Sequence, residues 1–173
     1  MRPRFTALLA AAILAGSMLP ALADQCARPT EKTAFNVAGL KSQLMVTALS
    51  CQSDAALASM DKYNAFVVRY RTDLVGQERA LASYFQRAYG RSGQKQHDDY
   101  ITQLANSQSD AGIKSGSFFC KQNMGLFDEV MALKSGSELP SYAGTKSVII
   151  AQPISLTDCP DKATKVKAKS AKK

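Results

Sequence analysis

The spacing of apolar side chains between Met60 and Ala88 constrains the fold of this chain more than any other feature. Apolar residues recur there at steps of three and four, which places them along one side of an α-helix. The pattern is sustained over about four heptads, and only Gln77 interrupts it. This seam consists of Met60, Tyr63, Val67, Tyr70, Leu74, Leu81, Tyr84 and Ala88. It predicts either one helix over residues 54–89 or two helices that meet at residues 73–76.

The same periodicity predicts three further helices, at residues 33–50, 94–109 and 117–134. After Glu138 the pattern ends, and three prolines and a glycine exclude one continuous helix. These residues are Pro140, Gly144, Pro153 and Pro160. We therefore expect an all-α bundle of four to five helices, followed by an extended C-terminal arm with one short strand at residues 148–150.

Residues 1–23 have the pattern of a secretory signal peptide. A basic start is followed by an apolar run at residues 5–19 and by a small-x-small site at Ala21–Ala23, after which a signal peptidase cuts. The mature chain is therefore expected to be periplasmic or secreted and to begin at Asp24. Residues 24–161 are predicted to form a single helical domain, and the Lys- and Ala-rich residues 162–173 a disordered tail.

Four cysteines predict two disulfides, because an even number in an exported chain favours pairing over free thiols. Three pairings are open, and we prefer Cys51–Cys120 with Cys26–Cys159. Cys51 lies on the apolar side of one predicted helix and Cys120 near the start of another, whereas Cys26 and Cys159 lie in the two flanking arms. Zinc sites bring cysteines in close pairs, which this chain lacks, so no metal is predicted.

The net charge of +8 is concentrated at the end of the chain. Of the 22 basic residues, two lie in the signal peptide and six in the tail, so 14 basic residues face 14 acidic ones in the helical domain. A neutral domain argues against a specific nucleic-acid partner. The tail predicts attraction to an anionic lipid or polysaccharide surface. Its lysines are Lys162, Lys165, Lys167, Lys169, Lys172 and Lys173.

Two patterns resemble catalytic elements in their residue types alone. Ser59 and Lys62 match S-x-x-K, which is short enough to occur by chance. His97 precedes two aspartates, but acidic residues are favoured in the first turn of a helix without any catalytic role. We find no established catalytic motif and predict no enzyme, no catalytic residue, no cofactor and no metal.

Aromatic and basic residues along the seam are the candidates for ligand binding. The aromatic candidates are Tyr63, Phe66, Tyr70 and Tyr84, which either line a groove or belong to the core. Arg87 and Arg91, one helical turn apart, either hold an anionic group or lie on a solvated face.

These patterns predict an exported, non-enzymatic binding or adaptor protein of the cell envelope that acts on an envelope protein or polymer. The alternative is a carrier of a small apolar ligand in a helical groove. An enzyme that uses His97 or Ser59 is the least favoured interpretation. The seam is also compatible with a homodimer interface, because a heptad pattern does not identify the chain that supplies the partner helix.

Overall fold

The computed structural model describes residues 25–147, 149–150 and 152–160. The predicted signal peptide and the lysine tail lie outside these residues, so both stay predictions. The described residues form seven α-helices and no named strand. The helices are α1 (Pro29–Cys51), α2 (Ser59–Arg69), α3 (Arg71–Tyr89), α4 (Gly93–Ser115), α5 (Phe118–Asn123), α6 (Gly125–Met131) and α7 (Leu139–Lys146). Single 3-10 turns occur at Ala55–Leu57, Gly90–Ser92 and Gly136–Glu138. The predicted all-α bundle is confirmed.

Helix α1 is the centre of the bundle and packs against α2, α3, α4, α5 and α7. It begins at Pro29, one turn before the predicted start at Thr33. Proline is tolerated in the first turn of a helix because the N–H that it lacks has no partner there. The Glu31 carboxylate accepts the backbone N–H of Arg28 at 2.7 Å, which satisfies a donor at this helix end.

The seam forms two helices, and the break lies at Tyr70 instead of the predicted residues 73–76. The Tyr70 N–H donates to the carbonyl of Phe66, and the Tyr70 carbonyl accepts from the N–H of Leu74. The backbone of Tyr70 therefore keeps one helical hydrogen bond to each of the two helices. The fully buried side chain donates its hydroxyl to the carbonyl of Val130 at 2.6 Å. Packing of Tyr70 against a distant part of the chain therefore determines where the seam breaks.

The C-terminal part contains more helix than the sequence predicted. The helix expected at residues 117–134 is divided at Met124 into α5 and α6. Residues 139–146, expected to be extended, form α7, because Pro140 falls in the first turn of that helix. Ile149 and Ile150 lie in no strand, and Val148 of the expected strand lies outside the described residues.

The extended arm follows α7 and lies beside the start of the described chain. The Ala27 N–H donates to the carbonyl of Thr157 at 2.8 Å, and the Cys159 N–H donates to the carbonyl of Ala27 at 3.2 Å. Further along the arm, the side chain of Gln152 accepts the Tyr100 hydroxyl at 2.8 Å. The two backbone bonds hold the ends of the described chain together, and the Tyr100–Gln152 bond joins the arm to α4.

Both disulfides have the predicted pairing, and no cysteine of the described residues is free. Cys51–Cys120 joins the end of α1 to α5, with 5.8 Å between the Cα atoms. Cys26–Cys159 joins the segment before α1 to the arm, with 4.7 Å between the Cα atoms. Cys51–Cys120 therefore joins two helices, and Cys26–Cys159 joins the two ends of the described chain.

Two apolar clusters make up the core. The first lies around Leu40, Leu44, Phe66 and Phe127, between α1, α2, α6 and their neighbours. The second is aromatic and lies between α1, α3 and α4. Its buried members are Ala27, Ala34, Phe35, Leu81, Tyr84, Phe85, Tyr100 and Leu104. None of the helices described here combines the length and the apolar composition needed to cross a membrane.

Candidate functional site

A surface cleft between α1 and α3 has two adjacent parts. The wider part has a volume of about 310 Å³ and is lined by Lys41, Val67, Arg71, Leu74, Val75, Glu78 and Arg79. A recess of about 90 Å³ is lined by Ala38, Lys41, Ser42, Met45, Glu78 and Ile101. Lys41 and Glu78 line both parts, so we treat them as one site, the α1–α3 cleft.

Most of the cleft lining comes from residue spacing on α1 and α3, and α2 and α4 contribute Val67 and Ile101. On α1, residues 38, 41, 42 and 45 lie on one face at helical spacing, beside the face that enters the core. On α3, Arg71, Val75 and Arg79 recur at steps of four. At ~1.5 Å per residue, the two arginine Cα atoms are about 12 Å apart along the helix. The site therefore has an apolar wall on α3 with a cation at each end.

Three cations and one carboxylate line the cleft. Lys41, Arg71 and Arg79 form no ion pair within 4 Å with a carboxylate of the described residues. The carboxylate is that of Glu78, whose Oε1 lies 2.9 Å from Nε2 of His97. With three cations and one carboxylate in its lining, the cleft has an excess of positive charge.

Ser42 places a buried hydroxyl in the wall of the recess. Its side chain is nine-tenths buried, and its Oγ has no hydrogen-bond partner among the described residues. A helical serine can donate to the carbonyl four residues earlier, but Ser42 does not. A buried hydroxyl without a partner costs about 1–3 kcal/mol. Because Oγ of Ser42 has almost no accessible surface, a ligand in the recess offsets this cost only when the Ser42 side chain turns towards it.

The structure does not bring the predicted aromatic ligand residues into one groove. Phe66 and Tyr70 are fully buried in the first core cluster, and Tyr84 is buried in the second. Tyr63 is half-buried beside Phe66, with 6.3 Å between the ring centroids. Burial raises the pKa of Tyr63 and of Tyr84. The reason is that the seam up to Leu74 enters the first cluster, whereas Leu81 and Tyr84 enter the second, so the aromatic residues lie in two parts of this chain's own core.

Arg87 and Arg91 do not form the predicted anion site. Helix α3 ends at Tyr89, so Arg91 lies in the following 3-10 turn with its side chain exposed. The Arg87 guanidinium instead donates to both carboxylate oxygens of Glu31, at 3.0 and 2.6 Å, and to the carbonyl of Cys26 at 2.8 Å. Its charge is therefore used to join α3 to the beginning of α1.

Ser59, Lys62 and His97, which resembled catalytic elements, each contact other residues of the fold. The Ser59 hydroxyl is buried and donates to the carbonyl of Ala48 at 2.8 Å, whereas Lys62 pairs with Asp128 at 2.8 Å. Ser59 and Lys62 thus have separate partners. His97 is buried against the ring of Phe85, at 5.5 Å between centroids. The described residues contain no group of three His, Cys, Asp or Glu side chains that could hold a metal ion.

Comparisons with protein-family models, with curated proteins and with solved structures found no match for this chain.

The cleft residues were not among the ligand-binding residues predicted from the sequence. Lys41, Ser42, Arg71 and Arg79 belong to no motif that distinguishes them in the sequence. One signal was present in the sequence, since residues 38, 41, 42 and 45 form a second stripe on α1. That stripe mixes apolar and polar residues, so its role becomes evident only when α3 is placed against it.

Proposed function

We propose that this protein is an exported, non-enzymatic binding protein and that the α1–α3 cleft holds a small organic ligand. The observation that carries the proposal is one cleft that combines an apolar wall, three cations without an ion pair among the described residues, and Ser42 with its buried hydroxyl. The wider part, at about 310 Å³, lies within the range of about 300–1,000 Å³ that ligand pockets occupy. The lining offers charge and apolar surface for binding.

The two disulfides support the export part of the proposal. Disulfides persist mainly in oxidising compartments, and both bridges here join distant parts of the described chain. We propose the periplasm or the extracellular space as the location, reached after cleavage behind Ala23. N-terminal sequencing of protein exported by bacterial cells tests this step, and a mature chain that retains residues 1–23 would contradict it.

The test of the cleft compares the variants Val75→Trp and Val68→Trp. Val75 lines the cleft and is 44% exposed, whereas Val68 is 76% exposed and lies outside the cleft lining. Binding of octanoate, octanamide and octylamine is measured by ligand-observed NMR. We expect at least one compound to bind the wild-type protein and Val68→Trp, and to lose its binding in Val75→Trp. Equal binding by both variants, or no binding of any compound to the wild type, contradicts the proposal.

An adaptor function is the second candidate, and two exposed apolar side chains favour it. Ile113 and Phe118 are 79% and 64% exposed on either side of the turn at Gly116. We propose this surface as the contact for another envelope protein. A photo-crosslinking residue at position 118 should then yield a discrete product in cells, whereas one at position 68 should not. Similar products from both positions would contradict the adaptor function.

We also propose that the six lysines of residues 162–173 hold the protein near an anionic surface. Their attraction to such a surface amounts to about 1 kcal/mol per lysine. The test is sedimentation with phosphatidylcholine vesicles that either contain or lack phosphatidylglycerol. Binding should require phosphatidylglycerol and should be lost when residues 162–173 are deleted. If the truncated chain binds as well as the full chain, the tail is not responsible.

A further inference from the structure

We infer that the ligand of the α1–α3 cleft is an amphipathic carboxylate, with its anionic group in the recess and its apolar body along α3. The inference rests on the proposed function and adds the chemical class of the ligand. It follows from the position of Lys41 and Ser42 in the recess and from the apolar wall of the wider part.

The recess suits a small anionic group. Its volume of about 90 Å³ leaves room for a carboxylate. Lys41 is half-buried and supplies an ammonium group to the recess. The enclosed Ser42 hydroxyl lacks a partner among the described residues and becomes a second donor when its side chain turns towards the recess. Both groups donate hydrogen bonds, and a carboxylate only accepts them.

Apolar walls strengthen this interaction. Ala38, Met45 and Ile101 complete the recess. Charged hydrogen bonds are stronger where apolar surroundings exclude water, because the effective dielectric constant is lower. A neutral or cationic head group would gain less from Lys41, so the recess distinguishes ligands by charge.

The wider part suits the apolar body of the ligand. Val67, Leu74 and Val75 provide apolar surface, and Leu74 is almost fully buried beneath the opening. Arg71 and Arg79 lie about 12 Å apart at the two ends, since ~1.5 Å of helix separates successive residues. An extended chain of about eight carbons fits between them, and the positive potential of the arginines adds attraction for the carboxylate.

Glu78 opposes the anion and thereby provides a second test of the assignment. Its carboxylate lines both parts of the cleft, and its Oε1 lies 2.9 Å from Nε2 of His97. Removing this negative charge with Glu78→Gln should tighten octanoate binding about threefold or more, since a like charge near the ligand is lost. An unchanged or weaker affinity would place the carboxylate outside the recess.

The experiment is isothermal titration of the full mature protein at pH 7 with octanoate, octanamide and octylamine. We expect octanoate to bind about tenfold more tightly than octanamide, since a charged hydrogen bond replaces a neutral one. Octylamine should bind most weakly. Lys41→Gln should remove the preference for octanoate, whereas Lys121→Gln, which changes an exposed lysine outside the cleft lining, should retain it.

Ser42→Ala separates a binding role from a structural one. The substitution removes a buried hydroxyl without a partner, so the ligand-free protein should keep its stability or gain some, while octanoate binding weakens about threefold or more. Thr47→Val is the matched control, because the buried Thr47 hydroxyl also has no partner in the described part of the chain but lies outside the cleft lining. It should leave octanoate binding unchanged.

The possible outcomes separate this inference from the proposed function. If octanamide or octylamine binds as tightly as octanoate and Val75→Trp abolishes that binding, the cleft binds ligands but the assignment to carboxylates is wrong. If none of the three compounds binds, the proposed function fails and the inference fails with it. If Lys41→Gln still binds octanoate more tightly than octanamide, the placement of the carboxylate beside Lys41 is wrong.

Discussion

The guanidinium of Arg87 contacts both carboxylate oxygens of Glu31, at 3.0 and 2.6 Å, although 56 residues separate them in the sequence. Glu31 is 7% exposed, and its carboxylate also accepts the backbone N–H of Arg28. A two-point ion pair of this kind fixes direction as well as distance. It therefore aligns the start of α1 with the last turn of α3.

Replacing Arg87 with Met should lower the free energy of unfolding by about 3 kcal/mol, because a buried carboxylate then loses its charged partner. The double variant Glu31→Gln and Arg87→Met also removes the buried negative charge, so it should recover part of this loss. Urea denaturation measures both effects. Arg91→Met, at an exposed arginine, serves as the control and should change stability by less than about 0.5 kcal/mol. A similarly small effect of Arg87→Met would contradict the assigned role.

The same ion pair makes stability depend on pH. Burial acts to raise the pKa of Glu31, but hydrogen bonds from Arg87 and from the Arg28 N–H, with the charges of both arginines, lower it below its ordinary value of 4.5. A carboxyl group with a lower pKa in the folded state stabilises the fold fully above its unfolded pKa. This stability is lost as the pH falls through the lower, folded pKa.

Chemical denaturation between about pH 7 and pH 3 should therefore show a steeper loss of stability in the wild type than in Glu31→Gln, where this group no longer titrates. The difference should develop below about pH 4.5, the ordinary pKa of the group. Parallel curves for the two proteins would show that the Glu31 pKa is not lowered by folding.

The Cys51–Cys120 bridge should contribute about 4 kcal/mol, because it closes a loop between residues 69 positions apart. The variant Cys51→Ala and Cys120→Ala should lower the free energy of unfolding by up to this amount. The variant Cys26→Ala and Cys159→Ala should instead release the arm first. Hydrogen exchange at the Ala27 and Cys159 amides, which bond across the two ends, should then rise before exchange in α1 does. Uniform exchange changes in both variants would contradict this division.

Gly76 and Gly93 should respond in opposite directions to substitution by Ala. A Cβ at Gly76 meets no atom within 4 Å, so Gly76→Ala should stabilise α3 by about 0.5–1 kcal/mol. A Cβ at Gly93 would lie 2.8 Å from the Phe85 carbonyl oxygen and from the Gln86 Cα, both backbone atoms. Gly93→Ala should therefore destabilise the protein by at least about 1 kcal/mol. Thermal unfolding of the two variants decides this, and a shift in the same direction would contradict it.

Helical periodicity predicted the elements better than it predicted their ends. The seam identified α2 and α3, but Tyr70 breaks it because its hydroxyl bonds to Val130, a contact 60 residues away. Pro140 was interpreted as a helix breaker, although at the start of α7 it is compatible with helix. Local pattern determines which side of a helix is apolar, whereas distant packing and proline position determine where helices begin and end.

The candidate site was less predictable than the fold. The aromatic residues of the seam were predicted either as a groove or as core, and Phe66, Tyr70 and Tyr84 belong to the core. Arg87 was a candidate for an anion, and the anion that it binds is the side chain of Glu31. Such a pair cannot be predicted from the sequence, because the two residues lie far apart and no local pattern around either of them identifies its partner.

The sequence by itself determined the helical class, the pairing preference of the cysteines and the apolar face of each main helix, because these follow from residue spacing and from the chemistry of individual side chains. Only the tertiary structure decided that Lys41 of α1 lies opposite Arg71 and Arg79 of α3. A cleft is the space left between packed helices. Its lining therefore depends on how the helices are placed against one another, which no single stretch of sequence specifies.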